Sequence, residues 1–251
     1  MKRRMLFSLL PGVVALAVLV LPTVAQAGVN TDTISIHFGA DEPTQVSGSV
    51  LDPTDVVGVP AVASANWNNV IKKGGVFVGL TRDTNGVATT TDATVLWEAT
   101  NTWASTGKGE ENNHFTGANH TLMTGYLDEN TSTPSPIFAQ VRNLPNDMAT
   151  GTYDVYLYMT NGSPGESAGE YTVNAAGPKY VVAAGDMGQF SGPDFVPAIG
   201  DDPAYGTDDF GNYVVFGAQT GSVVTITATN NSGIPGKDRA VLNAVQIVKN
   251  P

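Results

Sequence analysis

Trp67 stands in Ala65-Asn66-Trp67-Asn68-Asn69-Val70, flanked by three amides, and Trp103 stands in Thr100-Asn101-Thr102-Trp103-Ala104-Ser105. An aromatic face beside Asn, Asp and Thr side chains is the chemistry of sugar recognition. The ring stacks on the C–H face of a pyranose while amides and carboxylates take its hydroxyls. Trp67, Asn68, Asn69 and Trp103, with Tyr205 from an acidic loop further on, are therefore candidate ligand-binding residues. A tryptophan that plugs the end of a β-sandwich while amides cap loop backbone has the same local sequence, and for Trp67 that reading is favoured. The third tryptophan, Trp97, follows the alternation of Thr94-Val95-Leu96-Trp97 and fits a core position.

Hard cations want clustered oxygens. The stretch from Gly200 to Asn212 carries Asp201, Asp202, Asp208 and Asp209, which repel one another unless solvated or neutralised by a cation. These four aspartates are the candidate Ca2+ ligands, although the spacing of an EF-hand is absent. Of the three histidines, His37 alternates with apolar neighbours and is expected on a solvated or rim position. His114 and His120 lie six apart near Glu110 and Glu111, a spacing too unspecific to define a metal site. No His-Glu-x-x-His and no Gly-x-Ser-x-Gly is present. Acidic residues from distant strands can converge into the carboxylate pair of a glycoside hydrolase, but nothing marks such a pair, so the expected function is non-catalytic.

Composition narrows the classes. The 251 residues include no cysteine, which removes disulfides, thiolate metal sites and a thiol nucleophile. Twelve Lys+Arg against 23 Asp+Glu, a formal charge of −11, argues against general nucleic-acid binding. Only 14% of residues are charged, and 28 Gly, 28 Thr and 19 Asn fill the gap, a balance that favours strands and turns over helices.

Residues 1–27 have the form of a secretory signal. Lys2, Arg3 and Arg4 precede an apolar run, and Ala25-Gln26-Ala27 is a small-x-small cleavage site. The expected product is residues 28–251, secreted, extracellular or periplasmic, and no longer tied to a membrane.

The rest must position these side chains, and it patterns as one all-β domain. Short alternating or apolar runs occur at Ile34–Phe38, Gly75–Thr81, Val87–Glu98, His120–Leu127, Ile137–Asn143, Tyr153–Met159, Glu170–Asn174, Lys179–Ala183, Tyr213–Ala218, Val223–Thr229 and Val241–Val248. These eleven runs, at sandwich-like spacing, predict a single antiparallel, jelly-roll-like β-sandwich. Alternation assigns Val155, Leu157 and Met159 to one face and Tyr156 and Tyr158 to the other, the latter open to cover by a loop. Val224, Ile226 and Ala228 likewise share a face. Asn85-Gly86 between two runs predicts a tight hairpin.

Several phrases occur in order: Val57-Gly58-Val59-Pro60, Asn66-Trp67-Asn68-Asn69, Leu122-Met123-Thr124-Gly125-Tyr126-Leu127-Asp128, and Leu242-Asn243-Ala244-Val245-Gln246-Ile247-Val248. With them the chain resembles a group of secreted bacterial domains that occur alone or inside large surface and polysaccharide-related proteins. The resemblance implies a jelly-roll-like sandwich similar in shape to many carbohydrate-binding modules, and it carries no site residues.

The combined expectation is a secreted binding module for carbohydrate or another extracellular ligand. The alternatives are a structural or adhesive matrix protein that self-associates through strand edges, and a secreted hydrolase.

Overall fold

The computed structural model describes residues 31–40, 50–104, 115–129, 135–160, 167–183, 195–204, 209–230 and 239–251. In chain order the strands are β1 (Asp32–Phe38), β2 (Asn68–Val70), β3 (Gly74–Val78), β4 (Thr81–Thr84), β5 (Val87–Thr90), β6 (Thr94–Glu98), β7 (Asn101–Ala104), β8 (Gly125–Asp128) and β9 (Ile137–Arg142). There follow β10 (Tyr153–Tyr158), β11 (Ser167–Val173), β12 (Lys179–Ala183), β13 (Phe210–Gly211), β14 (Tyr213–Gln219), β15 (Val224–Asn230), β16 (Val241–Leu242) and β17 (Ala244–Lys249). Two short helices, α1 (Gly117–Leu122) and α2 (Asn146–Ala149), interrupt them.

One sheet has the order β14-β10-β17-β1-β4-β5, with β2 running parallel beside the end of β1. The second has the order β13-β12-β11-β15-β9-β6-β3, and β16-β8-β7 form a small third sheet. From β9 onward the chain passes repeatedly between the two large sheets, so that sequence neighbours are often not sheet neighbours. The result is the jelly-roll-like, mainly antiparallel sandwich that the alternation predicts.

The inner faces meet in one apolar core. Ile34, Ile36 and Phe38 of β1, Val155 and Leu157 of β10, and Val245 and Ile247 of β17 face Val95 of β6, Val141 of β9, Ile226 of β15 and Val173 of β11. Each is fully buried, as period-two patterning requires of a two-layer fold. Asn85 and Gly86 both have positive φ, 55° and 83°, the backbone of a tight hairpin joining β4 to β5.

The outer face of the first sheet is covered over its central strands β10, β17 and β1, while β5 at its edge is exposed. Residues 50–67 and α1 lie over it, and Leu51, Val57, Val59, Trp67, Leu122 and Met123 pack on Tyr158, Ala244 and Val248 as a second apolar cluster. Tyr158 is therefore covered, as the loop alternative allows. His37 contradicts its expectation: it is fully buried rather than solvated, because the covering segment returns over β1.

The run His120–Leu127 also departs from expectation. Its first residues complete α1 and only Gly125–Asp128 is strand. The run Val241–Val248 is divided at Asn243. The Oδ1 of that buried amide accepts from Thr160 N, and its Nδ2 donates to Met123 O and Gly125 O. Its own backbone still bonds within the first sheet, N–H donating to Tyr158 O and C=O accepting from Phe38 N, so the run passes from β16 on the small sheet to β17 on the first at this residue.

Candidate binding notch at the edge of the second sheet

The sequence-nominated residues separate in space. Trp67 is 5% exposed, its Nε1–H donates to Ser64 O at 2.9 Å, and its ring meets Tyr158 edge-to-face at 6.0 Å. This is the plug reading. Asn68 Nδ2 donates to Ser35 O and Thr81 O, and its Oδ1 accepts from Thr81 N. Asn69 Nδ2 donates to Leu51 O, while its Oδ1 accepts from Leu51 N and lies 3.0 Å from His37 Nδ1. The two amides thus fasten the covering segment and β4 to β1. Burial pushes the His37 imidazole down to about 4, against the raising effect of its contact with Asn69.

Trp103 differs. It lies on β7 opposite Tyr126 and is 38% exposed. Tyr205 and Asp208 lie outside the described residues, as does His114. Of the other aspartates in that loop, Asp201 is exposed, Asp202 Oδ1 accepts from Ala204 N, and Asp209 is fully buried with Oδ1 accepting from Gly200 N at 2.7 Å. Among the described residues no group of three or more His, Asp or Glu is placed to hold a metal ion.

A different place brings complementary groups together. β3 is the last strand of the second sheet and pairs with β6 so that Gly75 faces Trp97 and Gly74 faces Glu98. Without side chains at Gly74 and Gly75 the sheet edge is notched. A Cβ at Gly75 would stand 3.0 Å from the Trp97 ring, so the indole occupies the room that a side chain would need. Trp97 is 6% exposed and is anchored by Nε1–H donating to Lys72 O at 2.6 Å. Around it opens a groove of about 620 Å³, lined by Lys73, Glu98, Thr100, Ser135 and Leu96 besides the glycines. Thr100 Oγ1 is buried with no hydrogen-bond partner among the described residues. A buried hydroxyl without a partner is costly. An aromatic, an acidic, a basic and a hydroxyl residue thus line one volume of small-ligand size.

A second groove, about 730 Å³, lies between the β4–β5 hairpin and α2 and is lined by Arg82, Thr89, Thr91, Asp92, Asn146 and Ser222 among others. It has no aromatic wall. The Arg82 guanidinium there is engaged by Asp32 at 2.5 Å and Asp147 at 2.7 Å, and Arg82 together with Lys249 holds Asp147 well below the usual carboxylate range.

Two buried carboxyls adjoin at the end of β8. Burial pushes Asp128 up to about 6, against Arg239 Nε at 3.1 Å, and raises Glu129, whose Oε2 accepts from Asn230 N. Neither lines either of these two grooves.

Sequence reading missed the notch because its parts are remote: Gly74-Gly75 resembles a turn, Trp97 a core residue, and only strand pairing joins them. Lys72-Lys73-Gly74-Gly75, two charges and two glycines at a strand start, was the available signal.

No protein-family model matches the chain, and no curated protein matches it. Among solved structures, a CBM35 from Cellvibrio japonicus Abf62 is similar at 13% identity and a TM-score of 0.31, covering 63% of this chain and 94% of that one. The structure of the plant peptide RALF23 in complex with FER and LLG2 is similar at 13% identity and a TM-score of 0.38, covering 88% of this chain and 40% of the other. The ANXUR1 extracellular domain from Arabidopsis thaliana is similar at 11% identity and a TM-score of 0.38, over 75% of this chain and 55% of that one. The chain thus spans about half or less of the plant chains and nearly all of the CBM35 module.

Proposed function

We propose that this chain is an exported, non-catalytic β-sandwich module that binds carbohydrate, and that the notch at β3 and β6 seats one sugar unit. The observation that carries the reading is that Trp97, Glu98, Lys73 and Thr100 line one groove. A sugar offers an apolar C–H face to the ring and hydroxyls to the charged and hydroxyl groups. Export rests on the form of residues 1–27. The exposed Trp103 supplies a further stacking surface for a longer glycan.

A glycan array and a polysaccharide pull-down on residues 28–251, each with and without calcium, test the reading. Glu98→Ala and Lys73→Ala alter exposed side chains and leave the core intact, so each should weaken retention about tenfold while the melting temperature holds. No retained glycan under either condition, or retention indifferent to both substitutions, would falsify the notch as the site.

A further inference from the structure

Among the described residues β3 is the last strand of its sheet, and the chemistry of its outer edge repeats about its own centre. Ala99 N donates to Lys73 O at 2.7 Å and Gly79 N to Ala93 O at 3.0 Å. In an antiparallel ladder hydrogen-bonded pairs alternate, so residues 73, 75, 77 and 79 direct their peptide groups at β6. Gly74, Val76 and Val78 therefore point their N–H and C=O groups away from the sheet, on the side where the strand order ends. The side chains beside this edge are apolar and open: Val76 is 59%, Phe77 37% and Val78 73% exposed. No charge, proline or bulge guards Gly74–Val78, which are the usual means of blocking edge pairing.

We propose that a second copy of this chain pairs along β3, antiparallel, about a two-fold axis at Val76. Of the registers that match outward residues with outward residues, this one joins all three on both strands: Gly74 with Val78 of the copy, Val76 with Val76, and Val78 with Gly74. Between those pairs Gly75 lies opposite Phe77 of the copy, in the closer, non-hydrogen-bonded type of pair. The Trp97 ring occupies the room beside Gly75, and the phenylalanine of the copy packs against that ring from its open side. The ends are complementary in charge. Lys73 meets Gly79 of the copy in this register, and Asp92, exposed, lies beside that glycine because Ala93 O accepts from Gly79 N.

This pairing stands without any sugar. It also goes beyond the binding reading: Phe77 of the copy covers the open side of the Trp97 ring, so a paired chain cannot hold a glycan there. Sedimentation velocity at rising concentration, with no sugar present, reads it directly. The mass should move from one chain toward two. Val76→Lys should hold the protein monomeric, with the melting temperature of the monomer unchanged because Val76 is exposed. Lys73→Glu and Asp92→Lys should each weaken pairing roughly two- to fivefold, and together restore it. A protein that stays monomeric up to millimolar concentration overturns the proposal, and so does a dimer that Val76→Lys leaves intact. Because glycan binding is measured separately, loss of one result leaves the other standing.

Discussion

Tyr158 shows how far single residues on the covered face are committed. Its hydroxyl donates to Gln246 Oε1 at 2.7 Å and accepts from Val59 N at 3.2 Å, while Gln246 Nε2 donates to Val62 O and Ser64 Oγ. These bonds tie β10 and β17 to the segment over them. Burial raises the phenol far above its ordinary value, so it stays protonated and able to donate. Tyr158→Phe keeps the ring contacts and removes the hydroxyl. It strands Gln246 Oε1 and Val59 N, and should cost about 1–3 kcal/mol in urea unfolding with an unchanged m-value. A loss below about 0.5 kcal/mol would mean that water reaches both groups. Alternation in the sequence separates Tyr158 and His37 from their inward neighbours, yet it is silent on which face meets water. That choice is made by residues 50–67, which return over the sheet through contacts such as Asn69 to Leu51. Fifteen or more residues intervene in every such contact, so no local pattern announces them.

Elements were more legible than faces. Lys179–Ala183 coincides with β12, Tyr153–Met159 runs one residue past the end of β10, and Val223–Thr229 is shifted by one residue from β15 at each end. Their inward residues are the ones alternation selects: Val155, Leu157, Val224, Ile226 and Ala228 are all fully buried. Strands β2, β4, β7 and β13 were not separately legible, since two to four residues are too few to show a period. Helix α1 was hidden for a similar reason: six residues with one buried side chain, Leu122, leave no 3.6-residue stripe. The core prediction belongs at this scale. Leu157→Asp or Ile226→Asp places a carboxylate among apolar side chains with no cation in the layer, at a cost of several kcal/mol. That is of the order of a domain's whole stability, so either variant should lack the β-sheet circular dichroism of the parent at 25 °C. A variant that melts like the parent would show the strand to be turned the other way.

At the scale of the molecule, with no disulfide available, stability depends on the two apolar clusters and on the ionisable groups shut inside them. Two of these groups pull in opposite directions over the same pH range. His37 has its folded value lowered to about 4 from 6.5, so its contribution is whole above 6.5 and is lost as pH falls to 4. Asp128 has its folded value raised to about 6 from 3.8, so keeping it ionised costs stability above 6, and that cost is relieved as pH falls to 3.8. At about 1.4 kcal/mol per pH unit each displacement is worth about 3 kcal/mol, with opposite signs. Glu129, also raised by burial, acts in the direction of Asp128. Asp147, held low by Arg82 and Lys249, matters only in stronger acid. His37 and Asp128 should therefore nearly cancel in the parent between pH 6.5 and 4, with Glu129 tilting its unfolding free energy slightly upward on acidification. Asp128→Asn removes one arm, and the variant should lose about 3 kcal/mol over that interval. His37→Gln removes the other, and its stability should rise on acidification. Urea unfolding of the three proteins at pH 7, 5.5 and 4 decides the matter. Parallel pH profiles for the parent and Asp128→Asn would show that the carboxyl at the end of β8 is hydrated in solution, and that the protein's acid response comes from elsewhere.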